Sequence, residues 1–165
     1  MKFIVDKSYW NLFPDSKLGV LLLKNIQNGE STDEIKSILK EANNEAKKYL
    51  TKEILSENPV IAVWREAYKK FKTKKGVRSS IEALLKRVNS GHSISSINKL
   101  VDIYNSASLK YGLPCGAEDL DSFVGDLKLT ITQGGDKFIP LGSDEEDNTL
   151  PNELCYIDDE GAICR

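Results

Sequence analysis

The residues whose types and spacing could do chemistry lie in the stretch VDIYNSASLKYGLPCGAEDLDSF, residues 101–123. Asn105 carries an amide with two hydrogen-bond donors and an acceptor, and the small residues 106–108 leave room beside it for a ligand, a water or another backbone. A Pro-Cys-Gly corner follows Gly112. The stretch predicts either a pocket wall or a corner that Asp102 and Asn105 hold against the helix. The two interpretations are compatible, because a rigid corner beside small residues can also form a pocket wall.

Other kinds of site have weaker support in the sequence. The single histidine, His92, follows Gly91 in a predicted interhelical loop, which disfavours histidine-based catalysis. The pair Gly134-Gly135 falls in a predicted hairpin rather than between a strand and a helix, so it does not resemble a phosphate-binding loop. Three widely spaced cysteines, with no Cys-x-x-Cys pair, argue against a zinc site or a disulfide scaffold and favour reduced packing residues. The sequence gives no sign of a metal or an organic cofactor.

Charge is distributed unevenly along the chain, although the formal net charge is only −2. Residues 65–87 contain nine Lys or Arg against two Glu, whereas residues 118–160 contain thirteen Asp or Glu against two Lys. Either these segments are solvated faces that partly neutralise each other, or the basic one binds phosphates. The predicted RNA-binding residues are Arg65, Lys69, Lys72, Lys74, Lys75 and Arg78.

Length and composition favour one domain over residues 1–165, with residues 1–57 as a lead-in. No window approaches eighteen consecutive apolar residues, and the N-terminus lacks a signal-peptide pattern. We therefore expect no membrane association and a cytoplasmic location.

Helical periodicity dominates the first two thirds of the chain. A capping box beginning at Ser31 predicts a helix with its apolar stripe from Ile35 to Leu50, and Asn58-Pro59 opens a second helix, in which Trp64 shares the apolar face with Ile61. A second capping box at Ser79 and Glu82 starts a third helix. A fourth begins near Ser95 or Ser96, buries residues such as Ile97 and Leu100, and ends at Gly112.

Strand patterns occupy the remainder. The run GVLLLKNI from Gly19 reads as a buried strand, and residues 127–131 alternate before Gly134-Gly135 turns the chain into a return strand at 138–141. Residues 155–157 and 162–164 flank an Asp-Asp-Glu-Gly turn and predict a second hairpin. The expected class is α/β (α+β), with a helical N-terminal half and a hairpin-rich C-terminal half around a mixed or antiparallel sheet.

Four segments together resemble free-standing B3/B4 domain proteins, relatives of the tRNA-binding and editing domain in the phenylalanyl-tRNA synthetase beta subunit. They are WREAYKKF, RSSIEALLKRVNSG, SINKLVDIYNSASLKYGLPCGAEDLDSFVGDLKL and NELCYIDDEGAICR, and the resemblance covers residues 58–165. It implies a layered α/β fold, a tRNA or other RNA partner, and hydrolysis of wrongly charged aminoacyl-tRNA as a further activity.

The resemblance transfers to individual residues only in part. Asn105 matches an asparagine of the synthetase editing pocket, but the adjacent threonine is Tyr104 here and the histidine of the proline corner is Gly116. Related free-standing proteins continue past this Ile-Cys-Arg strand, so a chain that ended at Arg165 would lack part of the pocket. The predicted pocket residues are Asp102, Tyr104, Asn105, Ser108, Pro114 and Gly116.

Three functions are consistent with these observations. The first is a B3/B4-type module that binds tRNA or another RNA through the basic segment. The second is a trans-acting deacylase in which Asn105 positions the amino acid. The third is a module that keeps the fold but binds a small amino-acid-like ligand or a protein partner, for which the acidic residues 144–147 would suit a basic surface.

Overall fold

The structure, a computed structural model, describes all residues from Met1 to Arg165 and contains five α-helices and a four-stranded mixed sheet. This confirms the predicted α/β class. The helices are α1 (Lys7–Leu12), α2 (Asp33–Glu45), α3 (Pro59–Tyr68), α4 (Ser80–Asn89) and α5 (Lys99–Tyr111), and the strands are β1 (Phe3–Val5), β2 (Leu127–Ile131), β3 (Leu154–Ile157) and β4 (Ala162–Cys164).

The chain divides into two compact units. The helical unit comprises residues 22–66 and 78–118, and the sheet unit comprises residues 1–21, 67–77 and 119–165. Each unit is therefore assembled from segments that are distant in sequence.

An apolar cluster forms the core of the helical unit. Its buried members are Leu39, Ala42, Ala46, Ile61, Ile81, Leu85, Val88, Ile94 and Leu109. Seven of them come from α2 to α5, as the helical periodicity predicts, whereas Ala46 lies in a 3-10 helix after α2 and Ile94 in the loop before α5. Trp64 packs against this cluster, which confirms its predicted place on the apolar face of α3.

Two of three helix starts differ from the prediction. Thr32, not Ser31, caps α2 by accepting a hydrogen bond from the backbone N–H of Ile35, because Ser31 is engaged elsewhere. Helix α5 begins three residues later than predicted, after the cap Asn98, and the residue Ile97 that precedes this cap is exposed. Ser79 caps α4 as predicted, but its Glu82 carboxylate contacts two arginines.

The sheet unit is built around strands in the order β1-β2-β3-β4. β1 runs parallel to β2, and the other two pairings are antiparallel. The hydroxyl of Ser8 attaches α1 to the sheet, since it accepts a hydrogen bond from the N–H of Ile131 at 3.0 Å and lies 3.1 Å from Thr130 Oγ1. Tyr9, Leu129 and Cys155 are the buried apolar residues of this unit. The predicted hairpin of β3 and β4 is confirmed.

Two strand predictions are wrong. The run from Gly19 forms no strand, and its residues Val20 to Leu23 are 43–81% exposed. Its position explains this, because it crosses the boundary between the two units, where no strand lies beside it to pair with its backbone. The apolar run therefore predicted a buried strand, but the segment is an exposed connection from one unit to the other.

The second error concerns the partner of β2. Residues 138–141 form no strand, and β2 pairs instead with β3. After β2 the chain passes through two left-handed residues, Gly134 and Gly135, into a loop that Asp136 organises by accepting hydrogen bonds from the hydroxyls of Thr132 and Thr149. These side-chain bonds compete with a continuing ladder, and Pro140 cannot donate to one.

Candidate functional site

The first group of predicted site residues lies on and after α5 in the helical unit. Asp102 is fully buried in its first turn and is held by three donors. The hydroxyls of Ser31 and Ser96 each donate to it at 2.5 Å, and the N–H of Ile97 donates at 2.8 Å. Burial by itself raises the pKa of Asp102, but these three hydrogen bonds outweigh it and hold the pKa below 3.8.

These partners correct one interpretation of the sequence. Asp102 does not hold the proline corner; it joins the segments that precede α2 and α5 to the start of α5. Both of its carboxylate oxygens accept hydrogen bonds from protein donors in a buried environment. Asp102 is therefore part of the framework behind the site and has no exposed surface for a ligand.

Other residues hold the corner. The hydroxyl of Ser108 donates to the carbonyl of Leu113 at 2.5 Å, and the hydroxyl of Tyr49 donates to the carbonyl of Lys110 at 2.8 Å. Gly112 caps α5 in the left-handed conformation at φ +68°, and a Cβ there would lie 2.8 Å from Val60 Cγ2. Only glycine satisfies both conditions. Ser108 is thus a structural residue, and it fixes the backbone that leads to the half-buried Pro114.

Asn105 and Tyr104 present their side chains differently from Asp102. Both are half-buried, and the Asn105 amide takes part in none of the side-chain hydrogen bonds of the structure. Burial and the negative charge of Glu118 raise the pKa of Tyr104 above 10, so its phenol stays neutral and can donate or accept one hydrogen bond. Together these side chains can orient a polar ligand, but neither can act as a general base at neutral pH.

Gly116 lies at the open end of the corner. It is exposed, and a Cβ built on it would meet no atom within 4 Å. Its backbone is outside the left-handed region that demands glycine. Position 116 is therefore open for lack of a side chain and not for lack of space.

The two predicted arginines are engaged with one buried glutamate in the helical unit. Arg65 contacts Glu82 through Nη2 at 2.6 Å and through Nε at 3.1–3.2 Å, and Arg78 Nε lies 3.0 Å from the same carboxylate. The hydrogen bond to Glu82 raises the pKa of Arg65 further above its ordinary value. Both guanidinium groups serve the packing of α4, which reduces what they can offer to phosphate.

The predicted lysines lie in the sheet unit, in a segment that we call the lysine segment, residues 69–75. Within it, Lys74 forms an ion pair with Asp147, and Arg165 Nη1 lies 3.4 Å from the same carboxylate. Arg165 also pairs with the buried Glu153 at 2.7 Å. The charge of Lys74 is consequently neutralised within the chain, as is part of the acidic loop proposed to attract a protein partner.

Three other lysines of this segment form no ion pair with a carboxylate. Lys72 and Lys75 form no salt bridge, and the same is true of Lys70, which the sequence analysis did not single out. Lys72 is exposed, and its backbone N–H donates to the carbonyl of Asn152 at 2.8 Å, which fixes the segment beside the turn before β3. Lys69 is exposed as well, but it interacts with another part of the chain. Lys70, Lys72 and Lys75 therefore supply the positive charge that a polyanion could meet.

The structure thus separates the predicted residues into two sets. All pocket candidates lie in the helical unit together with Arg65 and Arg78, whereas Lys69, Lys72, Lys74 and Lys75 lie in the sheet unit. Sequence reasoning missed Ser31, which is 71 residues away from its partner Asp102. The capping-box pattern did single out Ser31, but as the cap of α2 and not as a hydrogen-bond donor to Asp102.

Other classes of site, such as a metal centre or a nucleophilic cysteine, have little support in the structure. No group of three or more His, Cys, Asp or Glu side chains could hold a metal ion. His92 is exposed in its loop, with Nδ1 3.2 Å from Ser90 Oγ. Burial raises the pKa of the Cys155 thiol to about 12, so it is not a nucleophile at neutral pH. None of the helices has the length and apolar character needed to span a membrane.

The fold and these residues define a mixed α/β domain with a polar helix face and a lysine-rich segment. Residues 63–165 match the B3/4 domain family, and because this match covers more than half of the sequence, the chain belongs to that family. B3/4 domains are of the type found in tRNA synthetase beta subunits, so membership supports a nucleic-acid-binding or editing-related module in general terms. No curated protein and no solved structure matches the chain.

Proposed function

We propose that this protein is an RNA-binding module whose partner is tRNA and whose phosphate contacts come from the lysine segment. The observation that carries the proposal is the set of exposed lysines without carboxylate partners, Lys70, Lys72 and Lys75. The B3/4 family is associated with tRNA and RNA binding, which supports the same partner.

The ion pairs within the chain indicate which of the predicted cationic side chains are most available to phosphate. Arg65 and Arg78 share Glu82, and Lys74 meets Asp147, so a phosphate would have to compete with these carboxylates. Lys72 and Lys75 need only exchange water for phosphate oxygens. Their contribution to binding should therefore be the larger one, although all of these residues carry the same formal charge.

The salt dependence of tRNA binding tests this proposal. Each phosphate neutralised contributes about 0.7–0.9 to the slope of log affinity against log salt. Replacing both Lys72 and Lys75 with Gln should reduce that slope by roughly 1.5. The matched control replaces two exposed lysines of the helical unit, Lys40 and Lys52, and should leave the slope nearly unchanged. A flat salt response of the unmodified protein would contradict the proposal.

A second candidate, deacylation of wrongly charged tRNA, is favoured by one observation. The half-buried amide of Asn105 forms no hydrogen bond within the protein, so its donors and acceptor are free to meet a ligand. Water would add across the ester to release the free amino acid and the tRNA hydroxyl. With no histidine base nearby, the rate would depend on an oriented water and the neighbouring ribose hydroxyl, which is catalysis by positioning.

Hydrolysis of tyrosine attached to phenylalanine tRNA, within a panel of correctly and wrongly charged tRNAs, tests the second candidate. Asn105→Ala should lower turnover at least tenfold while the free energy of unfolding stays within about 0.5 kcal/mol. Ile103→Ala, an exposed neighbour on the same helix, is the matched control and should keep full activity. Equal activity in the Asn105 variant would exclude the role, and binding of free tyrosine without hydrolysis would favour a ligand-binding module.

Two further points belong to the same proposal. A single functional domain over residues 1–165 would combine both compact units, with residues 1–57 as its lead-in. A cytoplasmic location would bring the protein to charged tRNA, and three free thiols suit that reducing compartment.

A further inference from the structure

The sheet unit contains a cleft that lies outside the predicted pocket and shares only Lys70 with the proposed phosphate contacts. Its volume is about 350 Å³, near the lower end of the range of ligand sites. The lining residues are Ser8, Asn11, Leu12, Lys70, Phe71, Ile131 and Asn152. They come from α1, the lysine segment, the end of β2 and the turn before β3.

Hydrogen bonds fix the walls of this cleft relative to one another. Ser8 ties α1 to the end of β2, and the backbone bond from Lys72 to Asn152 ties the lysine segment to the turn before β3. The ammonium group of Lys70 donates to the carbonyl of Leu12 at 3.3 Å and so connects the lysine segment to α1. A ligand would enter a site that is already formed, which lowers the cost of ordering it.

The lining combines three apolar side chains with polar groups and one cation. Leu12, Phe71 and Ile131 are half-buried and apolar, whereas Asn11 and Asn152 are exposed and carry amides that can both donate and accept hydrogen bonds. Asn152 is held in the left-handed conformation at φ +69°, one of two non-glycine residues with a positive φ. Such backbone geometry is most common at turns and functional sites.

The charge of the lining restricts the class of ligand that the cleft could bind. The lining contains the positive charge of Lys70 and no carboxylate, so a ligand with a free ammonium group, such as an amino acid, would have no counterion. A flat group that stacks on an aromatic ring, offers donors and acceptors at its edge and carries a phosphate fits all three features. An unpaired nucleotide has this chemistry, since single-stranded bases stack on aromatic side chains and hydrogen-bond through their free edges.

We propose that this cleft binds one unpaired base of an RNA ligand, stacked on Phe71, with its edge read by Asn11 and Asn152 and its phosphate near Lys70. This inference rests on the proposed RNA-binding function and deepens it, because it assigns a base-binding subsite next to the phosphate-binding lysines of the same unit. A base in a duplex would be unsuitable, since its edge is already paired.

The test compares two labelled RNA oligomers of eight residues, one of uridine and one with the same ribose-phosphate backbone but no bases. Fluorescence polarisation measures their affinities for the whole chain. Phe71→Leu keeps an apolar side chain against Phe13 and Tyr68 but removes the aromatic face, and should weaken uridine binding roughly tenfold. Binding of the abasic oligomer should change less than twofold.

A second variant guards against loss of folding in the first. Asn11→Ala changes an exposed helical residue and should weaken uridine binding several-fold with no effect on the abasic oligomer. Its matched control is Asn44→Ala, at an exposed position of α2, which should affect neither oligomer.

The outcomes separate this inference from the proposed function. If both oligomers bind equally, and replacing Lys72 and Lys75 weakens both, RNA binding stands and the base subsite is wrong. The same holds if Phe71→Leu and Asn11→Ala weaken both oligomers alike or weaken neither. If the unmodified chain binds neither these oligomers nor tRNA, the proposed function fails and the subsite fails with it.

Discussion

Charged residues that the sequence marks for binding have different fates in the two units. In the helical unit, Asp102 is buried and accepts three hydrogen bonds, and Arg65 and Arg78 share the buried carboxylate of Glu82. In the lysine segment of the sheet unit, Lys72 and Lys75 form no salt bridge. A count of positive charges treats the two arginines and the two lysines alike. The contacts show that the first set maintains the fold and that the second is available to a ligand.

The strongest test of this comparison is Asp102→Ala. Removing a fully buried carboxylate leaves the hydroxyls of Ser31 and Ser96 and one backbone N–H without their acceptor, which should lower the free energy of unfolding by about 3 kcal/mol. Urea denaturation measures it. The control Asp15→Ala, at an exposed position, should change it by no more than about 0.5 kcal/mol. Similar values for both variants would mean that Asp102 is not a framework residue.

The stability of the unmodified protein in acid should also depend on the Asp102 carboxylate. Because the folded pKa of Asp102 is lower than its ordinary value of 3.8, its contribution to stability is fully present well above pH 3.8 and is lost as the pH falls through the folded pKa. Asp102→Asn removes this titration, so its stability should decline less steeply in acid. Thermal unfolding of both proteins from pH 6 to pH 2 measures the difference. Parallel curves would show that other carboxylates dominate the acid response.

Glu82→Gln should have the next largest effect and tests the two arginines. Hydrogen bonds to a charged group are each worth about 1.5–3 kcal/mol, and because both guanidinium groups remain partly exposed and can regain water, we expect a loss near 2 kcal/mol. The affinity for tRNA should stay the same or rise, since Arg65 and Arg78 would lose their carboxylate partner.

A matched variant and a contrary result complete that experiment. Glu41→Gln makes the same chemical change at an exposed position of α2 and should leave the stability nearly unchanged. If Glu82→Gln weakened tRNA binding more than replacement of Lys72 and Lys75 does, the comparison between the two units would be reversed.

Local patterns explain why the helices could be predicted. Each core helix places apolar residues on one face, α2, α4 and α5 carry a capping residue at their start, and α3 begins at a proline; these signals lie within a few residues of one another. The stop of α5 at Gly112 was predicted for the same reason, because a left-handed glycine is a local feature.

Long-range pairing explains what could not be predicted. The partner of β2 is β3, beyond a loop that side-chain hydrogen bonds organise, and no local pattern reveals which strand completes a ladder. The roles of Asp102 and Arg65 depend on residues that are distant in sequence, Ser31 and Glu82. Sequence thus identified residues of interest at both places, but it could not tell a framework residue from a binding residue.

The smallest expected effect concerns two glycines of one corner, which repeat the comparison on a smaller scale. Gly112→Ala should cost about 1–2 kcal/mol of unfolding free energy, because the new Cβ would lie 2.8 Å from Val60 Cγ2 in a left-handed backbone. Gly116→His should change it by less than about 0.5 kcal/mol, because nothing lies within 4 Å of a Cβ there. Urea denaturation of both variants measures this contrast.

Gly116→His also tests whether the open corner can take part in hydrolysis. In the deacylation candidate an imidazole at position 116 would supply the base that the corner lacks, so any hydrolysis by this variant should rise as the pH passes about 6.5, where an unperturbed imidazole loses its proton. Glutamine at the same position has a similar size but does not titrate, and it is the control. A loss of more than 1 kcal/mol in either variant would show that position 116 is packed and is not an open wall of a pocket. Stable variants with identical activities would leave the corner open but without a role in hydrolysis, and would favour binding through the lysine segment as the function of this domain.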